Sequence, residues 1–123
     1  MADKVMSEIT KHLKEGEFLT QVVELAELTG WLVYHARPAW SEKGWRTPIQ
    51  GNVGFPDLVL VRAPQMIFAE LKSQKGKAAE TQLTWLSQLN LVARGLNPHN
   101  IFVYIWRPDD WDQIVNILCK AVK

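Results

Sequence analysis

Three side chains in the middle of the chain have the types and spacing to do chemistry together. Asp57 follows Pro56, twelve residues intervene, and then come Glu70 and Lys72 in the run Met66-Ile-Phe-Ala-Glu-Leu-Lys72. Side chains of an extended strand alternate between faces, so Phe68, Glu70 and Lys72 share one face and Ile67, Ala69 and Leu71 share the other. Two charges therefore stand on a strand otherwise built for burial, where charges persist only when paired or bound to a cation. Two carboxylates at one spot repel unless a proton or a cation lies between them. A hard cation such as Mg²⁺ or Mn²⁺ removes that cost and accepts oxygen ligands, to which the Leu71 carbonyl adds one. Lys72 would then stand beside the ion, able to orient or help deprotonate a water and to offset charge on a phosphorane-like transition state. That is the chemistry of phosphodiester cleavage. No His/Cys cluster with zinc spacing accompanies it. The bland alternative makes Glu70 and Lys72 an i,i+2 surface pair at a sheet edge and Asp57 the end of a turn.

The elements that must position these groups follow from pattern. Phe18, Val22, Leu25, Ala26 and Thr29 recur at helical spacing and Gly30 can serve as a left-handed stop, which predicts a helix over 17–29. Residues 31–37 predict a strand ending at Pro38. Residues 38–56, with three Pro, three Gly and two Trp, predict a long loop containing short extended pieces at most. It is either a pinned excursion or a wall of a substrate groove. Asp57–Val61 is apolar on both faces and predicts a central strand, hairpin-paired to 66–72. A helix over 79–94 carries Gln82, Trp85, Leu86, Leu89 and Ala93 inward and ends at Gly95. Residues 101–106 predict another strand, and Pro108 with Asp109 and Asp110 opens a last helix bearing Trp111, Ile114, Val115 and Leu118. The order α-β-β-β-α-β-α implies an α/β fold with a mixed central sheet flanked by helices. Residues 1–16 read as an arm or short helix and 17–123 as a single domain.

Gly54-Phe-Pro-Asp-Leu58, the Glu70-Leu-Lys72 triplet and Gln82 resemble the PD-(D/E)xK nuclease superfamily and its restriction-endonuclease-like core. Within it the chain is most similar to the stand-alone virus-type replication-repair nuclease (VRR-NUC) domain, often encoded by phages. The resemblance spans residues 15–118. It implies that Asp57 and Glu70 are metal carboxylates, that Lys72 is the catalytic lysine, that Gln82 is the glutamine opening the following helix, and that Glu17 is an acidic position of the first helix. Gln82 read by itself could hold a phosphate or water, or cap a backbone group. Glu17 read by itself could approach the metal or simply favour the helix's positive end. One departure stands out: Ala78 and Ala79 occupy the place of a hydroxyl cap, which costs the helix start about 1 kcal/mol.

The resemblance implies a Mg²⁺- or Mn²⁺-dependent endonuclease hydrolysing DNA, selective for a Holliday junction or another branch, with a two-fold homodimer making paired cuts. The absence of an evident groove-reading helix agrees with recognition of shape rather than sequence. The alternatives are a sequence- or end-directed restriction-like endonuclease and a DNA-binding protein that has lost catalysis. Candidate DNA contacts are Arg37, which shares a strand face with His35, together with Lys43, Arg46, Lys75, Lys77 and Arg107. Arg107 could equally be structural. Trp40 and Trp45 could stack on bases or meet a partner subunit, and the last helix or residues 38–56 would supply the dimer interface.

Charge and composition set the outer bounds. The formal net charge of the 123 residues is only +1, but residues 35–77 hold seven basic and three acidic groups, a weakly basic centre around the acidic pair. The 47% apolar content and the patterned segments argue for a folded chain rather than a disordered one. A single cysteine, Cys119, excludes an internal disulfide. No stretch has the length and apolarity of a signal peptide or a membrane span, so the expected setting is the cytoplasm of a bacterium or of a phage-infected host.

Overall fold

A computed structural model describes residues 14–36, 39–42, 44–46 and 49–120, with backbone only for 39–41 and 45–46. Arg37 and Lys43, most of the arm at 1–16 and the side chains of Trp40, Trp45 and Arg46 lie outside the described residues.

The first helix, α1 (Glu15–Leu28), forms because Phe18, Val22 and Ala26 repeat every four residues and all three become fully buried. It stops where Gly30 takes φ +90° and the Trp31 N–H donates back to the Ala26 carbonyl at 3.0 Å. Strand β1 (Leu32–His35) follows. The long connection is not wholly irregular: β2 (Ala39–Ser41) and β3 (Gly44–Arg46) pair as a small antiparallel hairpin, with Trp40 opposite Trp45. Then come β4 (Leu58–Arg62), β5 (Gln65–Leu71), α2 (Glu80–Arg94), β6 (Ile101–Trp106), a 3-10 turn (Pro108–Asp110) and α3 (Trp111–Cys119). Apart from the inserted hairpin, this is the expected α-β-β-β-α-β-α order.

The main sheet runs β1-β4-β5-β6. The first two pairings are antiparallel and β5–β6 is parallel, so the sheet is mixed. A parallel pair needs a crossover, which α2 supplies. The core lies on one face, where Phe18, Val22 and Ala26 of α1 and Trp111, Ile114 and Leu118 of α3 meet Leu58, Leu60, Ile67, Ala69, Leu71 and Trp106. Phe102, Tyr104 and Trp106 stack along β6, with successive centroids 6.4 and 5.2 Å apart. Helix α2 covers the opposite face and buries Leu86 and Ala93.

One expectation is corrected here. The apolar stripe of α3 is consumed by the core rather than left for a partner subunit. Exposed apolar side chains instead cluster on α2 and on the segment before β4, among them Leu83, Leu91, Val92, Val53 and Phe55. His35 and Val33 pair with Leu58 and Leu60, whose side chains enter the core, so that face of β1 looks away from α2. His35 is therefore no neighbour of the acidic pair.

At the end of the sheet remote from Asp57, Arg62 acts as a staple. One guanidinium nitrogen donates to the Thr29 carbonyl at 2.8 Å and the Leu118 carbonyl at 3.1 Å, and the other to the Lys120 carbonyl. Its plane lies 4.6 Å over Trp31, whose indole N–H also donates to the Leu118 carbonyl, at 3.0 Å. A cation thus satisfies orphan carbonyls at the C-terminal ends of α1 and α3 together.

Candidate active site

The β4–β5 register pairs Leu58 with Ala69, so the next position outward sets Asp57 opposite Glu70. Alternation along β5 then does the sorting. Ile67, Ala69 and Leu71 enter the core, which turns Phe68, Glu70 and Lys72 towards α2. Asp57 is fixed by its own carboxylate, whose Oδ2 accepts the Leu71 N–H at 2.8 Å. The N–H and C=O of one strand residue project to the same edge, so the Leu71 carbonyl also faces the Asp57 side. On the other edge the Lys72 N–H donates to the Trp106 carbonyl at 3.0 Å, extending the parallel ladder beneath the site.

Glu70 is fully buried, and apart from the Asp57 carboxyl that it meets across the hairpin its oxygens have no hydrogen-bond partner. A buried, unsatisfied carboxylate is a large cost, and protonation is the ordinary escape. Burial, and after it the neighbouring Asp57 carboxyl, pushes the Glu70 pKa up to about 8, while Lys72 pulls it down. Lys72 is itself only 9% exposed. The arrangement is a buried glutamate beside a half-buried aspartate, with an amine close enough to be felt electrostatically.

Those donors fit a hard divalent cation. The two Glu70 oxygens, the second oxygen of Asp57 and the Leu71 carbonyl are all oxygen ligands, and an ion would turn the desolvated carboxyl from a liability into a ligand. Among the described residues no group of three or more His, Cys, Asp or Glu side chains gathers anywhere, so the set amounts to two carboxylates and main-chain oxygen. Magnesium keeps several waters of its own and needs no fuller cage.

The approach to Asp57 is clamped onto α2. Gly54 has φ +102°, and a Cβ there would lie 2.5 Å from the Thr81 carbonyl carbon and 2.8 Å from the Gln82 nitrogen. Only glycine permits both the conformation and the contact. Phe55 packs edge-to-face on Trp85 and Phe68, with centroids 5.1 and 6.0 Å apart, and the Trp85 indole N–H donates to the Asn52 carbonyl at 3.1 Å.

Gln82 lines the same cleft as Asp57. Its Oε1 accepts the Ala79 N–H at 2.8 Å, so it caps its own helix while its amide N–H₂ remains free to donate. Ala79 is the N-cap and has no acceptor to return, so glutamine supplies the half of a capping box that the missing hydroxyl would have shared. Glu17 is exposed on the first turn of α1, with no partner among the described residues. Lys75 and Lys77 are exposed in the β5–α2 loop. Arg107 is half-buried and donates to the Ser73 carbonyl at 2.8 Å and the Gly76 carbonyl at 2.5 Å, which makes it the fastener of that loop.

Sequence reasoning missed Tyr34 and Phe55, which line the cleft beside Asp57. The signal for Tyr34 was the alternation of β1, legible only once the core-facing partners of Val33 and His35 are known.

No protein-family model matches the chain, and no curated protein matches it. The topology is that of the general restriction-endonuclease-like core of PD-(D/E)xK proteins, a mixed four-stranded sheet in α-β-β-β-α-β-α order. Among the described residues no helix is long and apolar enough to cross a membrane.

Proposed function

We propose that the protein is a divalent-metal-dependent endonuclease that hydrolyses DNA phosphodiester bonds, selective for a Holliday junction or another branched structure, and related to the stand-alone VRR-NUC nucleases of phages. The observation that carries this is the fully buried Glu70 carboxyl beside Asp57 and Lys72 on a nuclease-type sheet.

Asp57, Glu70 and the Leu71 carbonyl would hold Mg²⁺ or Mn²⁺, with Glu17 as a further acid. The ion, when bound, supplies Lewis acidity and a water of lowered pKa. Lys72 orients the attacking water and offsets negative charge as it builds on the phosphoryl oxygens. The free amide N–H₂ of Gln82 donates to a phosphate oxygen from the first turn of α2. The water oxygen bonds to phosphorus, one P–O ester bond breaks, and the leaving oxygen takes up a proton. Lys43, Arg46, Lys75 and Lys77 are the proposed backbone contacts. Arg107 serves the same strand indirectly, by holding the loop that carries two of those lysines. A two-fold homodimer would bring two such centres to one branch.

The test is scission of a synthetic four-way junction and of a linear duplex of matching sequence, in Mg²⁺ and in Mn²⁺. Metal-dependent paired nicking of the junction, abolished in Asp57→Asn and Lys72→Met, is the expected result. Scission that survives Asp57→Asn, or none with either metal, contradicts the proposal.

A further inference from the structure

Away from the place of the scissile phosphate at Asp57 and Gln82, the cleft that ends at Asp57 has the wrong chemistry for a phosphate backbone. It offers about 720 Å³, within the range of small-molecule sites, and among the described residues no Lys or Arg lines it. Its walls are aromatic and aliphatic: Tyr34, Phe55, Trp85, Ile49 and Val53, with Val59 also among the lining residues. Its polar groups are the amide side chains Gln50, Asn52 and Gln82, together with Asp57. Tyr34 is 59% exposed and Phe55 43% exposed, so large aromatic surface stands uncovered beside the acidic pair. Ordinary packing does not account for Tyr34, whose strand already packs on the core through Val33 on its other face.

A neutral, planar ligand with hydrogen-bonding edges matches those walls, and a polyanion does not. Building on the nuclease reading, we infer that this cleft receives an unstacked nucleobase of the DNA, from a nucleotide flanking the cleaved phosphate, with Tyr34 and Phe55 as its stacking surfaces. Asp57 belongs to both the cleft and the acidic pair, so base and phosphate of neighbouring nucleotides are engaged at one place. Such a site favours DNA whose strand is already unpaired beside the cut, because extruding a base from intact duplex costs stacking and pairing energy. Branch selectivity then has a local cause in addition to overall shape.

The experiment measures affinity without turnover, by fluorescence anisotropy in EDTA, for the branched DNA that the wild type cuts. A single abasic residue is placed in turn on either side of the mapped cut. For wild type, removing the base on one side is expected to weaken binding about 5- to 150-fold, the range of a lost base–aromatic stack. Tyr34→Ala should weaken binding of intact DNA comparably and show no further loss on the abasic strand, whereas Tyr34→Phe keeps both affinities. Equal affinity of wild type for intact and abasic DNA on both sides overturns the inference without involving any variant. So does a Tyr34→Ala loss that is the same on both DNAs. If wild type neither binds nor cuts branched DNA, the nuclease reading itself fails, and that outcome is distinct from cleavage that proceeds without a penalty for the missing base.

Discussion

Replacing Glu70 with glutamine keeps the shape of the side chain and removes its titration, which isolates the energetic signature of the acidic pair. In the metal-free protein the Glu70 carboxyl is fully buried and its pKa stands at about 8 rather than the ordinary 4.5, first because of burial and then because of Asp57. Between those two values the folded chain keeps a proton that the unfolded chain releases. Stability is therefore fully present below pH 4.5, falls as the pH climbs towards 8, and levels off above. One pKa unit is worth about 1.4 kcal/mol, so the loss has a ceiling of about 5 kcal/mol. Relaxation around the charge, with Lys72 nearby, leaves an expected loss of about 2–4 kcal/mol. Urea denaturation in EDTA, followed by tryptophan fluorescence at pH 5 and pH 8, measures it. Wild type and Glu70→Gln should lie within about 1 kcal/mol of each other at pH 5, and the variant should be the more stable at pH 8 by about 2–4 kcal/mol. Added Mn²⁺ should stabilise wild type at pH 8 and leave the variant unchanged. Parallel pH dependences for the two proteins would refute the burial and coupling assigned to Glu70.

Metal uptake near pH 7 should release close to one proton per ion, read by titration calorimetry in buffers of different ionisation enthalpy, because Glu70 must ionise to coordinate. Gly54→Ala should destabilise the protein by about 2–4 kcal/mol and depress cleavage further than stability alone explains, since its Cβ would collide with the first turn of α2. Arg62→Met should cost about 2–3 kcal/mol in denaturant melts while leaving cleavage per folded molecule unchanged, because its contacts join helix ends far from Asp57. Lys75→Ala with Lys77→Ala should lower the slope of log affinity against log salt by up to about 2, without changing the cut position.

Much of this site was open to sequence reasoning because strand alternation is unforgiving. Once Ile67, Ala69 and Leu71 are assigned to a core, Glu70 and Lys72 must share the opposite face, and a hairpin of the observed length brings Asp57 to Glu70. The helix boundaries follow from equally local causes, such as Gly30 at positive φ. Other features depended on partners remote in the chain. The face of His35 is decided by Leu58, and the use of the α3 stripe by Phe18 and Val22 on α1. The staple made by Arg62 needs carbonyls from residues 29, 118 and 120, which no local pattern brings together. Gln82 shows both levels at once: its place on the inward stripe is periodic, but its capping bond matters because Ala79 has no hydroxyl to offer.

The most direct measurement is a crystal structure of the full chain grown with Mn²⁺, with anomalous data collected at the manganese edge. A single strong peak touching the carboxylates of Asp57 and Glu70 and the Leu71 carbonyl, at about 2.2 Å, with the Lys72 amine beside it, is the expected result. A Glu70 carboxyl that stays dry and ligand-free at saturating Mn²⁺ and pH 8, or a peak bound only elsewhere on the chain, would contradict the assignment of this acidic pair as a metal centre.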